Sequence, residues 1–265
     1  MSTSDGFPTN AIYGFIKTID RMRERVCPTH IAVLWDGGLD EGRTEILEEY
    51  KADRDSMPDD LEVQLDAIED WLSASGIYSY CAEGVEADDL IATICKRARA
   101  LSIKVVVASA DKDFFQLIEP GVSLLNPNDK SGALWSADQV KSKTGVMPEQ
   151  IIDWLSLMGD TVDGIKGVPG IGAKTAAKLL VEFGDVESVY SNLHSIKSEK
   201  LKSNLIEFKE IVLRNKSIIR LNENCDMEWE LKTTEIRKGD KGRLEECYLN
   251  WQFGSLLESL NEFDM

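Results

Sequence analysis

Histidine is nearly absent, with His30 and His194 the only two in 265 residues. That scarcity argues against a histidine-based metal site and against a Ser-His-Asp triad. The five cysteines, Cys27, Cys81, Cys95, Cys225 and Cys247, include no Cys-x-x-Cys pair. They read as reduced core thiols of a cytoplasmic protein rather than as zinc ligands or disulfides. No apolar run reaches the length of a membrane span and the first residues carry no leader pattern, so no membrane partner is expected. Positive charge is scarce too: 30 Lys and Arg stand against 47 Asp and Glu, a net charge of -17. Contacts to phosphate need cations, so this balance speaks against nucleic acid over the surface as a whole. The objection weakens if acids gather around divalent cations or if the basic residues collect on one face. Most of the excess reads as a solvated acidic surface.

The most informative stretch is 159–180. Asp160 and Asp163 precede a turn carrying Gly167, Pro169, Gly170 and Gly172, and the turn runs into Ala173-Lys174-Thr175-Ala176-Ala177, all suited to a helix. Closely spaced glycines let backbone N–H groups face outward, and a helix start favours anions. Lys174 and Lys178 add positive charge one turn apart. The stretch reads as a phosphate-holding hairpin, made by Gly167, Gly170, Gly172, Lys174, Thr175 and Lys178, with acids beside it.

A chain of this length forms one mixed domain or two small ones. Thr9 or Asn10 can cap a helix bearing Ile12, Phe15, Ile16, Ile19, Met22 and Val26, which Pro28 stops. His30 to Trp35 reads as a buried parallel strand delivering Asp36 at its carboxyl end, where open α/β sheets place their sites. Residues 39–60 lack an apolar stripe, which predicts a flexible segment or a helix not packed on the core. Within it, Tyr50-Lys51-Ala52-Asp53-Arg54 offers an aromatic face and two cations. A helix through Leu61, Leu65, Ile68, Trp71 and Leu72 follows, and then a strand over 77–81.

Glu86, Asp88 and Asp89 open the next helix, where acids suit the macrodipole. Lys104 to Ser109 is the most convincing buried strand; it ends at Asp111 and Asp113, with a short helix after it and a further strand over 122–125. From Ser136 to about Asn222 the chain reads as helical and strand-free, and the segment 240–265 is expected to pack back onto the body. The division expected is 1–135 for an α/β domain and 136–265 for an α-helical domain with a C-terminal extension.

Eight carboxylates can therefore be assigned to one cleft: Asp36, Glu86, Asp88, Asp89, Asp111, Asp113, Asp160 and Asp163. Apposed carboxylates need cations, and an all-oxygen set without His or Cys suits Mg²⁺ or Mn²⁺. Two such ions suit phosphodiester hydrolysis.

On these motifs the chain resembles the 5′-nuclease, or flap endonuclease, family, and within it the stand-alone and polymerase I-attached 5′-3′ exonucleases. The matching segments are Pro-Thr-Asn-Ala-Ile-Tyr-Gly (8–14), Pro-Thr-His-Ile-Ala-Val-Leu-Trp-Asp (28–36), Tyr-Lys-Ala-Asp-Arg (50–54), Gly-Val-Glu-Ala-Asp-Asp (84–89), Ala-Asp-Lys-Asp (110–113) and all of 159–180. The match runs from near residue 7 to the closing Phe253-Gly-Ser-Leu-Leu.

The resemblance implies a PIN-like, parallel-sheet α/β nuclease core followed by an α-helical helix-three-turn-helix (SAM-like) domain that grips duplex DNA. It implies Asp36, Glu86, Asp88 and Asp89 at a first metal site and Asp111, Asp113, Asp160 and Asp163 at a second, holding two Mg²⁺ or Mn²⁺ ions. It further implies Lys51 near the scissile phosphate, Arg54 assisting and Tyr50 stacking on a nucleotide, all from a flexible arch, with K⁺ at the hairpin. The implied activity is 5′-3′ exonuclease and flap endonuclease action in replication and repair, on 5′ flaps and on nicked or branched duplex. The implied partner is a DNA polymerase, and the chain itself is read as a monomer.

Three departures accompany the resemblance. Gly164 and Lys166 stand where the family usually has Asn and Pro. Arg43 lies at a family arginine but in different surroundings, and it receives little weight. Ahead of 8–14 there is no apolar strand leading to Asp5-Gly6, so a central strand and one first-site ligand are expected to be missing. The expectation is that the start was placed too far downstream, and that the chain as written is poorly stable or weakly active. The alternatives are a truncated, catalytically impaired DNA-structure-binding protein, and an acidic α/β domain whose glycine turn is only structural.

Overall fold

The computed structural model describes residues 1–54 and 56–262, without the side chain of Glu262. In chain order the elements are α1 (Asn10–Val26), β1 (Ala32–Trp35), α2 (Glu41–Ile46), α3 (Asp59–Glu62), α4 (Leu65–Ala74), β2 (Tyr78–Cys81), α5 (Ala87–Ala100), β3 (Val105–Ala108), β4 (Val122–Leu125) and β5 (Leu134–Trp135). They continue with α6 (Ala137–Thr144), α7 (Ile151–Met158), β6 (Gly159–Asp160), β7 (Ile165–Lys166), α8 (Ala173–Phe183), α9 (Val186–Ser191), α10 (Glu199–Glu207), α11 (Lys209–Ile219), α12 (Lys241–Asn250) and α13 (Gly254–Glu262). These elements form two compact units, one made of 1–35, 55–82 and 227–265, the other of 36–54 and 83–226.

In the first unit, Ile12, Ile16 and Ile19 put one face of α1 into a core shared with Ile68, Trp71 and Leu72 of α4. The predicted Thr9 or Asn10 cap is not made: Thr9 takes the cap position without a side-chain bond. Instead the buried Gln64 Oε1 accepts from the N–H groups of Ala11 (2.9 Å) and Ile12 (3.3 Å), supplying acceptors to donors that a helix start leaves open. β1 and β2 run parallel, Ala32 opposite Tyr78 and Trp35 opposite Cys81. The C-terminal segment packs into this same core through Leu244, Tyr248, Trp251, Phe253 and Leu256, with the Trp71 indole donating to the Tyr248 hydroxyl at 3.0 Å. Residues 263–265 of that segment lie outside the described residues.

In the second unit β3 pairs parallel with β4, Val105 opposite Val122, and β4 pairs antiparallel with β5. Apolar residues from α5, α7, α8 and α11 join these strands in one core. Three sequence readings are corrected. First, β1 and β3 are not fully buried: all four residues of β1, and Val105 and Val106 of β3, are half-buried. Each of these strands has one hydrogen-bonded neighbour among the described residues, which leaves an edge open. Second, the stretch after 136 is not strand-free, because β6 and β7 form a two-residue antiparallel hairpin. Pairs this short are too brief for alternation to mark them. What permits the pairing is glycine: a Cβ on Gly167 would lie 2.1 Å from the Met158 carbonyl carbon, and one on Gly159 would lie 2.4 Å from the Gly167 nitrogen. Third, the cysteines divide, with Cys95 and Cys225 buried, Cys247 half-buried, and Cys27 and Cys81 exposed. No helix among the described residues is long and apolar enough to cross a membrane.

Candidate active site

Every acid singled out in the sequence lies in the second unit. Two strand ends and one helix start deliver six of them. Asp36 follows β1, and its Oδ1 accepts from the Ala87 N–H at 2.9 Å, the first N–H of α5. Glu86 takes the cap position of α5, and Asp88 and Asp89 lie in its first turn, where the positive end of the helix dipole favours them. Asp111 follows β3 and caps a short 3-10 helix over Lys112–Leu117, accepting from the Asp113 N–H at 3.0 Å. The β6–β7 hairpin brings in Asp160 and, from its turn, Asp163.

Asp113, Asp160 and Asp163 converge, each offering a carboxylate oxygen within 4.8 Å of the others. Glu86 and Asp88 line the same small cavity as Asp113 and Asp163. Burial, followed by the charges of Asp111, Asp160 and Asp163, pushes the Asp113 carboxyl up to about 8, against the pull of Lys112. Asp88 rises to about 6, from burial first and then the charges of Asp111, Asp36 and Glu86, with Lys51 opposing. Asp113 Oδ1 is buried with no hydrogen-bond partner. A buried carboxylate with one unpartnered oxygen, beside two further carboxylates, is an all-oxygen donor set that fits a hard divalent cation.

The cations of the site were less legible in the sequence. Of residues 39–60, read as flexible or unpacked, 39–54 instead fold down: Leu47, Tyr50 and Lys51 are buried, and so is Arg43 on α2, while 56–60 are exposed. Lys51 Nζ lies 2.6 Å from Glu86 Oε1, and the Tyr50 hydroxyl donates to Glu86 Oε2 at 3.0 Å. The Lys51 N–H reaches the Asp163 carbonyl at 3.1 Å. Arg54 pairs with Asp163 (2.7 Å) and Lys112 with Asp160 (2.5 Å). The predicted open aromatic face at Tyr50 is therefore a correction: its ring is 4 % exposed. Burial and then the neighbouring Glu86 push its hydroxyl far up, so it stays protonated and can donate to Glu86.

The reason the segment packs without an apolar stripe is polar. Arg43 donates to Asp89 through both terminal nitrogens (2.8 Å each) and to Glu86. Burial opposes its charge, but the Asp89 hydrogen bonds and charge, together with Tyr50 and Glu86, outweigh burial and hold the guanidinium protonated. Gly164, one of the departures from the family pattern, fits the same packing: a Cβ there would sit 2.4 Å from the Glu49 carbonyl oxygen. Lys112 is thus a site residue that sequence reasoning passed over, and Arg43 one to which it gave too little weight. For Lys112 a signal existed, since it stands between Asp111 and Asp113; for Arg43 the partners are 43 and 46 residues away.

The hairpin at 167–178 is built apart from this cavity. Val168, Ile171 and Ala176 are buried beneath it. The Trp154 indole donates to the Ala173 carbonyl (2.9 Å), and Asn204 Nδ2 donates to the Pro169 carbonyl (2.8 Å). Gly170, Gly172, Lys174 and Lys178 are exposed, and Thr175 is half-buried. Gly167 does not share that openness, since it faces the backbone of Met158 and Gly159.

Residues 1–145 match the family described as 5′-3′ exonuclease, N-terminal resolvase-like domain, and 146–242 match 5′-3′ exonuclease, C-terminal SAM fold. Among relatives, the 5′-3′ exonuclease of Aquifex aeolicus is 33 % identical over 263 residues, 99 % of this chain and 89 % of that protein. DNA polymerase I of Bacillus caldotenax is 36 % identical over 259 residues, 96 % of this chain but 29 % of the polymerase. The chain thus spans about three tenths of the length of the polymerases it matches. Among solved structures, the bacteriophage T5 D15 flap endonuclease in a pseudo-enzyme-product complex with DNA and metal ions superposes with a TM-score of 0.67 at 27 % identity, covering 81 % of this chain and 82 % of that one. T5 5′-exonuclease with bound zinc has a TM-score of 0.68, also at 27 % identity, with coverage of 81 % and 82 %. The catalytic core of Rad2 with a DNA substrate matches with a TM-score of 0.60 at 17 % identity, covering 95 % and 82 %, a likeness of fold. The PIN-like, resolvase-like part followed by a SAM-fold part accords with the architecture read from the motifs.

Proposed function

This chain belongs to the 5′-3′ exonuclease family, and we propose that it hydrolyses DNA phosphodiester bonds from 5′ ends and at 5′ flaps with bound divalent cations. The observation that carries the reading is the meeting of Asp113, Asp160 and Asp163, with Asp113 Oδ1 buried and unpartnered. The site would hold two ions, Mg²⁺ or Mn²⁺, served by Asp111, Asp113, Asp160 and Asp163 on one side and by the set Asp36, Glu86, Asp88 and Asp89 on the other, with Asp36 and Asp88 as its direct ligands and Glu86 and Asp89 acting from behind them through the cations they hold. Such ions supply charge stabilisation for the attacking water and the departing oxygen. Lys51 and Arg54 bring cations to the scissile phosphate, and Tyr50 stacks on a nucleotide. Each of these three roles requires release from the pairs made with Glu86 and Asp163, so residues 47–54 must lift from the acids when DNA enters.

The hairpin holds duplex phosphates on the N–H groups and side chains around Gly170, Gly172, Lys174, Thr175 and Lys178, with K⁺ bound at the turn and Gly167 supporting it from below. Residues 1–135 would form the cutting portion, completed by Asp160 and Asp163, and 136–265 the gripping portion with a C-terminal extension. The substrates are 5′ flaps and nicked or branched duplex, met in the cytoplasm by a monomer working beside a DNA polymerase in replication and repair.

The test is cleavage of a labelled 5′-flap duplex by the purified chain in Mg²⁺. Asp113→Asn is expected to lower the rate at least about a thousandfold, some 4 kcal/mol of barrier, with duplex binding retained. A second reading, an impaired DNA-structure-binding protein, draws on the internal neutralisation of Glu86, Asp89, Asp160 and Asp163 by Arg43, Lys51, Arg54 and Lys112. Equal binding and no cleavage by both forms would select it.

A further inference from the structure

One helix, α11, is tied to both acid sets by buried polar side chains. Arg43 uses all five of its N–H groups. Nε donates to the Ile218 carbonyl at 2.9 Å, Nη1 to Glu86 and Asp89, and Nη2 to Asp89 and the Arg220 carbonyl at 3.2 Å. Ile218 is in the last turn of α11 and Arg220 caps it. The guanidinium therefore sits at the electronegative end of α11, and the carboxylates it binds sit at the electropositive start of α5, each charge where the helix end favours it. One turn earlier, the fully buried Asn215 donates from Nδ2 to the Ser156 carbonyl (3.1 Å) and the Lys166 carbonyl (2.8 Å). Lys166 is in β7, on the hairpin that carries Asp160 and Asp163.

The oxygens of Glu86 and Asp89 are fully engaged in this network. Glu86 accepts from Arg43, Tyr50 and Lys51. Asp89 accepts from both Arg43 terminal nitrogens and from the Asn222 N–H at 2.8 Å. A buried arginine between two carboxylates contributes little net stability compared with apolar residues of the same volume. What it does supply is a fixed geometry, five directional bonds that a leucine cannot make.

We propose that α11 is the strut that sets the separation of the two acid sets, with Arg43 and Asn215 as its positioning residues. In this arrangement Glu86 and Asp89 anchor Arg43, and Glu86 holds Lys51 until DNA enters, leaving Asp36, Asp88, Asp111, Asp113, Asp160 and Asp163 for the divalent cations. The catalytic consequence rests on the nuclease reading; the anchoring does not.

The full chain is tested in three ways: Mn²⁺ affinity by titration, amide hydrogen exchange over 41–54 and 159–166 without metal, and kcat and KM on a flap duplex. Asp113→Asn is expected to weaken Mn²⁺ at least about tenfold and leave exchange over 41–54 unchanged, whereas Asp89→Asn keeps Mn²⁺ within about threefold and speeds that exchange. Arg43→Gln and Asn215→Leu lower kcat about tenfold or more with KM within about twofold, and Arg43→Lys, which keeps the charge, recovers part of the loss. Mn²⁺ weakened as strongly by Asp89→Asn as by Asp113→Asn would overturn the anchoring role. Wild-type kcat and exchange in both Arg43→Gln and Asn215→Leu would overturn the strut. If the wild type itself cuts nothing, the nuclease reading fails alone, and the exchange and Mn²⁺ results still decide the anchoring.

Discussion

The two ends of residues 159–180 use the same residue types for opposite purposes. At the first end Gly159 and Gly167 let two backbones meet at distances a Cβ would forbid, and the acids of that hairpin are buried and paired with Lys112 and Arg54. At the second end a Cβ on Gly170 or Gly172 would meet nothing within 4 Å. Lys174 and Lys178 stand exposed there, without an ion pair among the described residues. Glycine spacing alone does not separate close approach from open N–H groups; the surroundings do. The first end is closed and organises carboxylates, while the second is open and offers donors.

The largest effect that could break this contrast is on stability. Gly167→Ala would force a methyl carbon onto the Met158 carbonyl at 2.1 Å, so the hairpin must open or shift. A loss of about 3 kcal/mol or more is expected, in the range of severe steric mutations. Gly172→Ala, in open space with φ -101, should cost under about 1 kcal/mol. Thermal unfolding of the two variants beside the wild type checks this, and equal losses would end the distinction between the ends.

The next effect concerns charge at the closed end. The Asp113 carboxyl is raised to about 8 by burial and then by Asp111, Asp160 and Asp163. Its folded value lies above its unfolded one, so its contribution is full below about 4 and lost as pH rises through about 8. Without metal, this group lowers stability with rising pH across that window, and Asp88, raised to about 6, acts in the same direction over its lower half. Cation binding needs the ionised form, so the melting shift produced by saturating Mg²⁺ should grow from pH 6 to pH 8.5. The growth should be several degrees, at roughly 2–4 °C per kcal/mol for a chain of this size, and Asp113→Asn should abolish it. A shift that is flat with pH would mean that Asp113 is not where the cation acts.

How much of this could be read beforehand depended on where the partners lay. The apolar period of α1 and α5 and the valine run of β3 are local signals, and those elements form where they were expected. Six of the eight acids were legible because each sits at or just after a strand end or at a helix start, positions that the local pattern marks; Asp160 and Asp163 were found beside the glycine turn instead. Residues 39–54 were misread because their packing rests on Arg43 meeting Glu86 and Asp89, a long-range polar contact that hydropathy does not register. Tyr50 went the same way, its ring carried into the core by that network. β6 and β7 were missed because two residues cannot display a period, and the glycines that permit their pairing had been given to the hairpin.

The smallest expected effect tests the open end. Lys174 and Lys178 lie one turn apart on α8, exposed and close to the exposed Gly170 and Gly172. If they meet phosphates, each contact releases condensed counterions, and the dependence of DNA affinity on salt counts those contacts. Lys174→Ala should weaken duplex binding similarly for all sequences and reduce the log–log salt slope by about 1, and the double change with Lys178→Ala by about 2. Stability should barely move, since neither side chain is packed. The overall charge of -17 sharpens the test, because a general electrostatic effect of removing two lysines would lower affinity without altering the slope by whole contacts. An unchanged slope would assign the open glycines to turn geometry, and the contrast between the two ends would reduce to burial alone.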